Sequence, residues 1–264
     1  MALRCVYTDL DGTLLGRGAS LFRDGEGNFT LLPARALEAC HRAGVEVVIK
    51  SGRRKAQVME DARLLGQGSY IYEVGSGLVI DGDETLLTGA LQPREGVSVH
   101  DLIEESGAPA LLLRAYAGRL EHHSPWHLDR QVSHLFRGRV AVHEANELLA
   151  GEGLGHLRLV DNGAIPGDLH AYHLLPAVAS KANAVAAHMR ARGYAREHCL
   201  AVGDSPEDLD VAGRVGRFFL VANALERDPG LRQAAGALLN VEVTESRYGE
   251  GFYEAVVRSL AESR

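Results

Sequence analysis

Two carboxylates stand two positions apart near the start of the chain, in Thr8-Asp9-Leu10-Asp11-Gly12-Thr13. A second acidic group, Gly203-Asp204-Ser205-Pro206-Glu207-Asp208, lies far downstream, with Ser51-Gly52-Arg53 and Lys181 in between. Carboxylates held close repel unless something positive sits between them, and a hard divalent cation such as Mg²⁺ is the usual answer. A carboxylate can also attack phosphorus, splitting one hard displacement into two through an aspartyl-phosphate. A second can protonate the leaving alcohol and then activate water. A hydroxyl with neighbouring backbone N–H groups, and a lysine at a helix N-terminus, can hold phosphate oxygens. Enzymes accelerate phosphate-monoester hydrolysis by up to about 10²¹-fold, so a working site needs all these parts. As a set, these residues read as a phosphoryl-transfer site.

Each group follows an element that can aim it. The strand formers Cys5, Val6, Tyr7 and Thr8 lead into Asp9; residues 45–50 read as a strand ending at Ser51; residues 199–202 read as a strand ending at Asp204. Ser180 caps an Ala-rich helix over 181–192 that Gly193 ends, so Lys181 opens a helix. Helices are expected over 33–43, with Pro33 in the first turn, and over 55–65; strands over 70–74, 78–80 and 218–221, the last before Asn223-Ala224. This alternation predicts βαβ units and a parallel sheet whose carboxyl-end rim gathers the four groups. From residue 84 the rhythm changes. Helices are expected at 98–106, 128–136 and 144–150, two strands within 110–122, and further strands at 139–142, 156–160 and 169–174. A separate α+β domain with a largely antiparallel sheet follows. The expected fold class is α/β: a Rossmann-like parallel-sheet core over 1–83 and 178–264, with an α+β domain inserted over 84–177.

The bulk properties agree with a globular enzyme. The chain has 264 residues, 46% hydrophobic and 24% charged, with a formal net charge of -7, which argues against non-specific nucleic-acid or anionic-membrane binding. No signal-peptide core and no run near the roughly 18 apolar residues of a membrane span is present. Cys5, Cys40 and Cys199 are far apart without a CxxC, and are expected as buried free thiols in a reducing cytoplasm. Of 28 basic residues only Lys50, Lys55 and Lys181 are lysine, which marks each as a candidate for a role arginine does not fill.

In these four motifs and their order the chain resembles the haloacid dehalogenase superfamily of phosphatases. The resemblance implies that Asp9 is the nucleophile and Asp11 the general acid/base. It implies that Ser51, Gly52, Lys181 and Asn223 bind the substrate phosphate. Asp9, the Asp11 carbonyl and Asp204 would hold Mg²⁺, with Asp208 supporting the metal directly or through water. Asp9 and Ser51 are 42 positions apart and leave no room for a cap, whereas 130 positions separate Ser51 from Lys181. The inserted domain is therefore similar to the cap of the subfamily that includes Cof-type, sucrose-phosphate and mannosyl-3-phosphoglycerate phosphatases. Three positions depart from the family pattern: Val74 in Glu73-Val74-Gly75, Ala182 after Lys181, and Glu207 where asparagine is usual.

Substrate contacts are expected from Arg53 and, in the cap, from His122 and Arg130, with Arg137 and Arg158 as further candidates; the alternative for each is a solvated polar face. His123-Ser124-Pro125-Trp126-His127 lacks the helical HExxH spacing of a zinc site. The implied function is hydrolysis of a small phosphorylated sugar or glycosyl-phosphoglycerate by a Mg²⁺-dependent cytoplasmic phosphomonoesterase. The alternatives are a phosphotransferase or phosphomutase, which would need cap arginines for a second phosphate, and a non-catalytic sugar-phosphate-binding protein.

Overall fold

The computed structural model describes residues 2–262. β1 (Cys5–Thr8) is buried along its whole length, as a central parallel strand must be. A polar loop leads to α1 (Leu32–Arg42), which takes Pro33 in its first turn without losing a hydrogen bond. β2 (Glu46–Lys50), α2 (Lys55–Leu64), β3 (Ser69–Tyr72), β4 (Gly77–Ile80) and β5 (Asp83–Leu86) follow. The inserted domain holds α3 (Val99–Glu105), α4 (Ala108–Ala115), β6 (Leu120–His122), β7 (His134–Gly138), α5 (Val142–Gly151), β8 (Leu157–Ile165) and β9 (Leu169–Pro176). The chain returns through α6 (Lys181–Arg192), β10 (Cys199–Gly203), α7 (Pro206–Leu209), β11 (Arg217–Leu220), α8 (Ala222–Arg227), α9 (Leu231–Gly236), β12 (Val241–Val243) and α10 (Tyr248–Glu262).

One eight-stranded sheet runs in the order β12-β11-β10-β1-β2-β3-β4-β5, parallel from β12 to β3 and antiparallel at β4 and β5. β1 stands at the switch point between β10 and β2, where a crevice opens at the carboxyl ends of the strands. Val6, Val47, Val58 and Phe252 belong to one apolar layer, and Tyr7, Val48, Val185 and Phe218 to a second. The Ser180 hydroxyl accepts the Asn183 N–H, which fixes the start of α6, and with it Lys181, at the crevice.

The inserted domain is a four-stranded antiparallel sheet, β6-β7-β9-β8, with its own core of Leu112, Phe136, Leu149 and Tyr172. Pairing of β8 with β9 shifts register between Asp161 and Ala164, a bulge that takes Asn162 and Gly163 out of the ladder.

Several expectations are corrected. β5 belongs to the core sheet, so a boundary at residue 84 would cut a core strand; the expected limits at 1 and 264 lie outside the described residues. Residues 110–115 are helical rather than extended. A short apolar run suits either a buried helix or a strand, and Pro109 in the first turn of α4 favours the helix. Residues 128–133 are not helical. The N–H groups of Gln131, Val132 and Ser133 donate to the Glu73 carboxylate of the core instead of to carbonyls one turn back. The strand expected at 139–142 accordingly lies earlier, as β7. No helix among the described residues is long and apolar enough to cross a membrane, and all three cysteines are free and buried.

Candidate active site

At the end of β1 the Asp9 side chain, 9% exposed, accepts from Lys181 Nζ at 3.0 Å. Lys181 also donates to Asp208 Oδ1 at 2.8 Å, and Lys50 donates to the same oxygen at 2.5 Å and to the Val202 carbonyl at 3.0 Å. Asp208 Oδ2 accepts from the Ser205 hydroxyl at 2.6 Å. Two ammonium groups and two carboxylates thus form a buried chain behind the crevice. Asp204 completes the acidic group, accepting from the Thr13 hydroxyl and from Arg227, each at 3.0 Å.

Burial sets the charge balance. It raises the Asp9 pKa to about 6 against the pull of Lys181. Burial, with the Asp9 and Asp208 carboxylates adding to it, raises Asp204 to about 7. Burial also opposes the charge of Asp208, but Lys181 and Lys50 outweigh it and hold that carboxyl well below its ordinary value. For Lys181, burial is outweighed in turn by Asp208 and Asp9, which raise it. Asp9 and Asp204 therefore sit where burial opposes their charge, while two lysines hold the charge of Asp208. Ligand oxygens of all three lie within 4.8 Å of one another. That hard, all-oxygen set fits a cation such as Mg²⁺, with Asp9 and Asp204 as the residues that would hold it and Asp208 fixing the two lysines.

Asp11 stands at the rim with its side chain 54% exposed, gripped by Arg53 through both carboxylate oxygens at 2.7 and 2.6 Å. Arg53 also reaches Asp61 at 2.8 Å. Gly12 has φ +86°, and a Cβ there would fall 2.1 Å from Asp204 Oδ2; only glycine lets the two acidic loops meet. The Ser51 hydroxyl accepts the Arg53 N–H at 3.1 Å, and Ser51, Gly52 and Arg53 line a cavity of about 810 Å³ between the core and the inserted domain.

The remaining expected residues sit differently. Asn223 is 2% exposed and donates to the Gly12 carbonyl at 2.8 Å while accepting the Tyr248 N–H at 2.7 Å. It braces the turn after Asp11 and, like Lys181, lies just behind the cavity lining. His122 stacks on His127 and lies tilted against Phe136, ring centroids 4.9 and 5.3 Å away, and it is the next residue, His123, that lines the cavity. Arg130 lines the cavity, but its guanidinium donates to the Gly52 carbonyl at 3.1 and 3.2 Å and to Ser133 Oγ at 3.0 Å. It ties the inserted domain to the loop at 51–53 instead of offering a free charge. Arg137 pairs with Glu121, and Arg158 reaches across to Glu207 at 3.0 Å. Lys50, Asn162, His173 and Arg227 were not expected at the site. The scarcity of lysine pointed to the first, and an Asp-Asn-Gly triplet inside a strand is the signal that marks the second.

No family model matches the chain. It is similar to the phosphoglycolate phosphatase of Archaeoglobus fulgidus, 27% identical over 256 residues covering 96% of this chain and 95% of that one. The phosphoglycolate phosphatase of Methanothermobacter thermautotrophicus is 26% identical over 98% of this chain and 99% of its own. Among solved structures, the sucrose-phosphatase from Synechocystis sp. PCC6803 in complex with sucrose and phosphate superposes with a TM-score of 0.66 at 18% identity, covering 98% of both chains. A haloacid dehalogenase-like hydrolase from B. subtilis gives 0.66 at 17% identity over 97% of this chain and 99% of that one. The chain is thus similar over nearly its whole length to phosphoglycolate phosphatases, and it shares the fold of haloacid dehalogenase-like hydrolases. Its inserted domain is consistent with a haloacid dehalogenase cap placed between the second and third motifs, and the likeness to the solved structures is one of fold.

Proposed function

We propose that this protein is a Mg²⁺-dependent phosphomonoesterase that hydrolyses a small phosphorylated sugar or sugar acid through an aspartyl-phosphate. The observation that carries the reading is the Asp9 carboxylate, which lines the cavity beside Asp204 and is held from behind by the buried Lys181 ammonium. In this reading Asp9 attacks phosphorus while Lys181, Ser51 and the Gly52 backbone hold the transferring oxygens. Asp11 gives a proton to the leaving alcohol, then takes one from the water that opens the aspartyl-phosphate. Mg²⁺ held by Asp9 and Asp204 would neutralise nucleophile and phosphate together. The inserted domain, as a cap, excludes water and reads the organic part of the substrate. A second reading, phosphoglycolate as the substrate, is favoured by the name carried by the relatives at 26–27% identity.

The test is inorganic phosphate release from a panel of sugar phosphates, glycosyl-phosphoglycerates and phosphoglycolate, with Mg²⁺ and with EDTA. Mg²⁺-dependent release from at least one ester is expected. Phosphate passed between sugars with none released would favour the mutase alternative. Binding without any turnover would favour a sugar-phosphate-binding protein.

A further inference from the structure

The cap wall above the loop at 51–53 carries an ordered chain of hydrogen bonds whose direction can be read. Glu73, fully buried, accepts the N–H groups of Gln131, Val132 and Ser133 at 2.9, 3.1 and 2.7 Å, and the Ser133 hydroxyl at 2.9 Å. The one hydroxyl proton of Ser133 thus goes to the carboxylate, the strongest acceptor within reach. The Ser133 oxygen then has only lone pairs for its other two neighbours, Arg130 Nη1 at 3.0 Å and His173 Nδ1 at 3.1 Å. Arginine can only donate, and His173 must donate as well, so its Nδ1 carries a proton. Burial, with Arg130 and Lys181 adding to it, holds His173 well below its ordinary pKa, so the ring is neutral. Its Nε2 is therefore a bare lone pair.

That lone pair faces the reaction site. A Cβ built on Gly52 would stand 3.1 Å from His173 Nε2 and 2.4 Å from Asn162 Nδ2, so both side chains rest against the loop at 51–53 and would have to shift for any larger residue there. Both residues line the cavity, and Asn162 Oδ1, carried inward by the β8 bulge, is buried with no hydrogen-bond partner. A phosphate or carboxylate oxygen brought against His173 Nε2 would set lone pair against lone pair. A hydroxyl would satisfy it.

We infer that His173 determines specificity: its Nε2 accepts a hydrogen bond from a substrate hydroxyl carried near the phosphate ester, so the cavity selects phosphorylated polyols and sugars over phosphorylated carboxylates such as phosphoglycolate. This rests on the phosphatase reading above and narrows its substrate class.

Two measurements on the full-length protein test it. The first is nitrogen NMR with ¹⁵N-histidine labelling. One imidazole should carry its proton on Nδ1 with Nε2 bare, its signals should vanish in His173→Gln, and its Nε2 should shift on adding glycerol 1-phosphate but not phosphoglycolate. A proton on Nε2, or an equal response to both esters, overturns the inference whether or not either ester is hydrolysed. The second is the ratio of kcat/KM for glycerol 1-phosphate to that for phosphoglycolate. It should exceed one in the wild type, fall about tenfold in His173→Leu, as the loss of one hydrogen bond implies, and recover in His173→Gln, whose carbonyl can accept. Ser133→Ala, which removes the acceptor that fixes the tautomer, should lower the ratio without emptying the cavity wall, and serves if His173→Leu does not fold. A ratio below one, or one unmoved in folded variants, overturns the inference. Absence of phosphate release from both esters would instead count against the phosphatase reading, leaving the NMR result to decide His173.

Discussion

Asp9 and Lys181 face each other at 3.0 Å in a place that water hardly reaches, so the chemistry of one depends on the other. Asp9→Asn keeps the shape and removes the nucleophile. Phosphate release in the presence of Mg²⁺ should drop below detection with the circular dichroism spectrum unchanged, and near-wild-type turnover would refute the assignment. Lys50 is a different kind of residue. It touches no expected substrate atom, yet its ammonium is fully buried against Asp208. Lys50→Met leaves part of a buried charge uncompensated, and loss of a partner from such a pair costs on the order of 3–5 kcal/mol, to be read from urea denaturation. Lys50 shows where sequence reading stops at this scale. Its type was conspicuous among so many arginines, but its partner lies 158 positions away, and nothing local announces that pairing. That Asp9, Asp11, Ser51, Lys181 and Asp204 gather at one crevice was legible because each stands at a terminus of an element whose own residues declare it. Asn223 was not, because a buried asparagine serving two backbone groups and one serving a ligand have the same sequence.

At the scale of elements, the core was readable and the cap much less so. The limits of α6 follow from Ser180 and Gly193, which cap it at both ends. Residues 128–133 have no such local logic, since a core carboxylate takes the N–H groups that a helix would have used. Glu73→Gln replaces that acceptor with a group that sets its own N–H donors against three others. Faster cleavage of this segment in limited proteolysis is expected, with a stability loss of about 3 kcal/mol, the scale of hydrogen bonds to a charged group. Unchanged cleavage would show that the segment is held by something else. A second element-level device joins the start of β2 to α6. Burial opposes the charge of Glu46, but His188, Ser69 and Tyr194 outweigh it and lower its pKa from 4.5 to about 2. A carboxyl depressed on folding stabilises the protein above its unfolded pKa, and that contribution is lost as pH falls through the folded value. The melting temperature of Glu46→Gln should therefore lie below wild type at neutral pH and converge with it between about pH 4.5 and 2.

For the whole molecule, the raised carboxyls give the opposite sign. Asp9 at about 6 and Asp204 at about 7 hold protons that the unfolded chain has already released, so the metal-free protein loses stability as pH rises through these values. A cation competes with those protons. Mg²⁺ should raise the melting temperature relative to EDTA, by an increment that grows from pH 5 to pH 8; an increment independent of pH would place the metal elsewhere. Cap and core are joined mainly through polar links: Glu73 to residues 131–133, Arg130 to Gly52, Arg54 to Asp129 and Arg158 to Glu207. Beside them Val74, Val160, Leu175 and Ala179 form a small apolar cluster. Glu207, which departs from the family pattern, thus finds its partner in the cap.

Arg53 holds both oxygens of Asp11, and an entering phosphate dianion seeks the same kind of fork. In the proposed reaction the two anions are rivals for one guanidinium. While no ester is bound, the rim carboxylate is occupied. In that reading, an arriving phosphate would take the arginine and leave the carboxylate free to gain the proton it is to pass on. The arrangement works as an interlock, in which the proton donor is armed by the ligand that needs it.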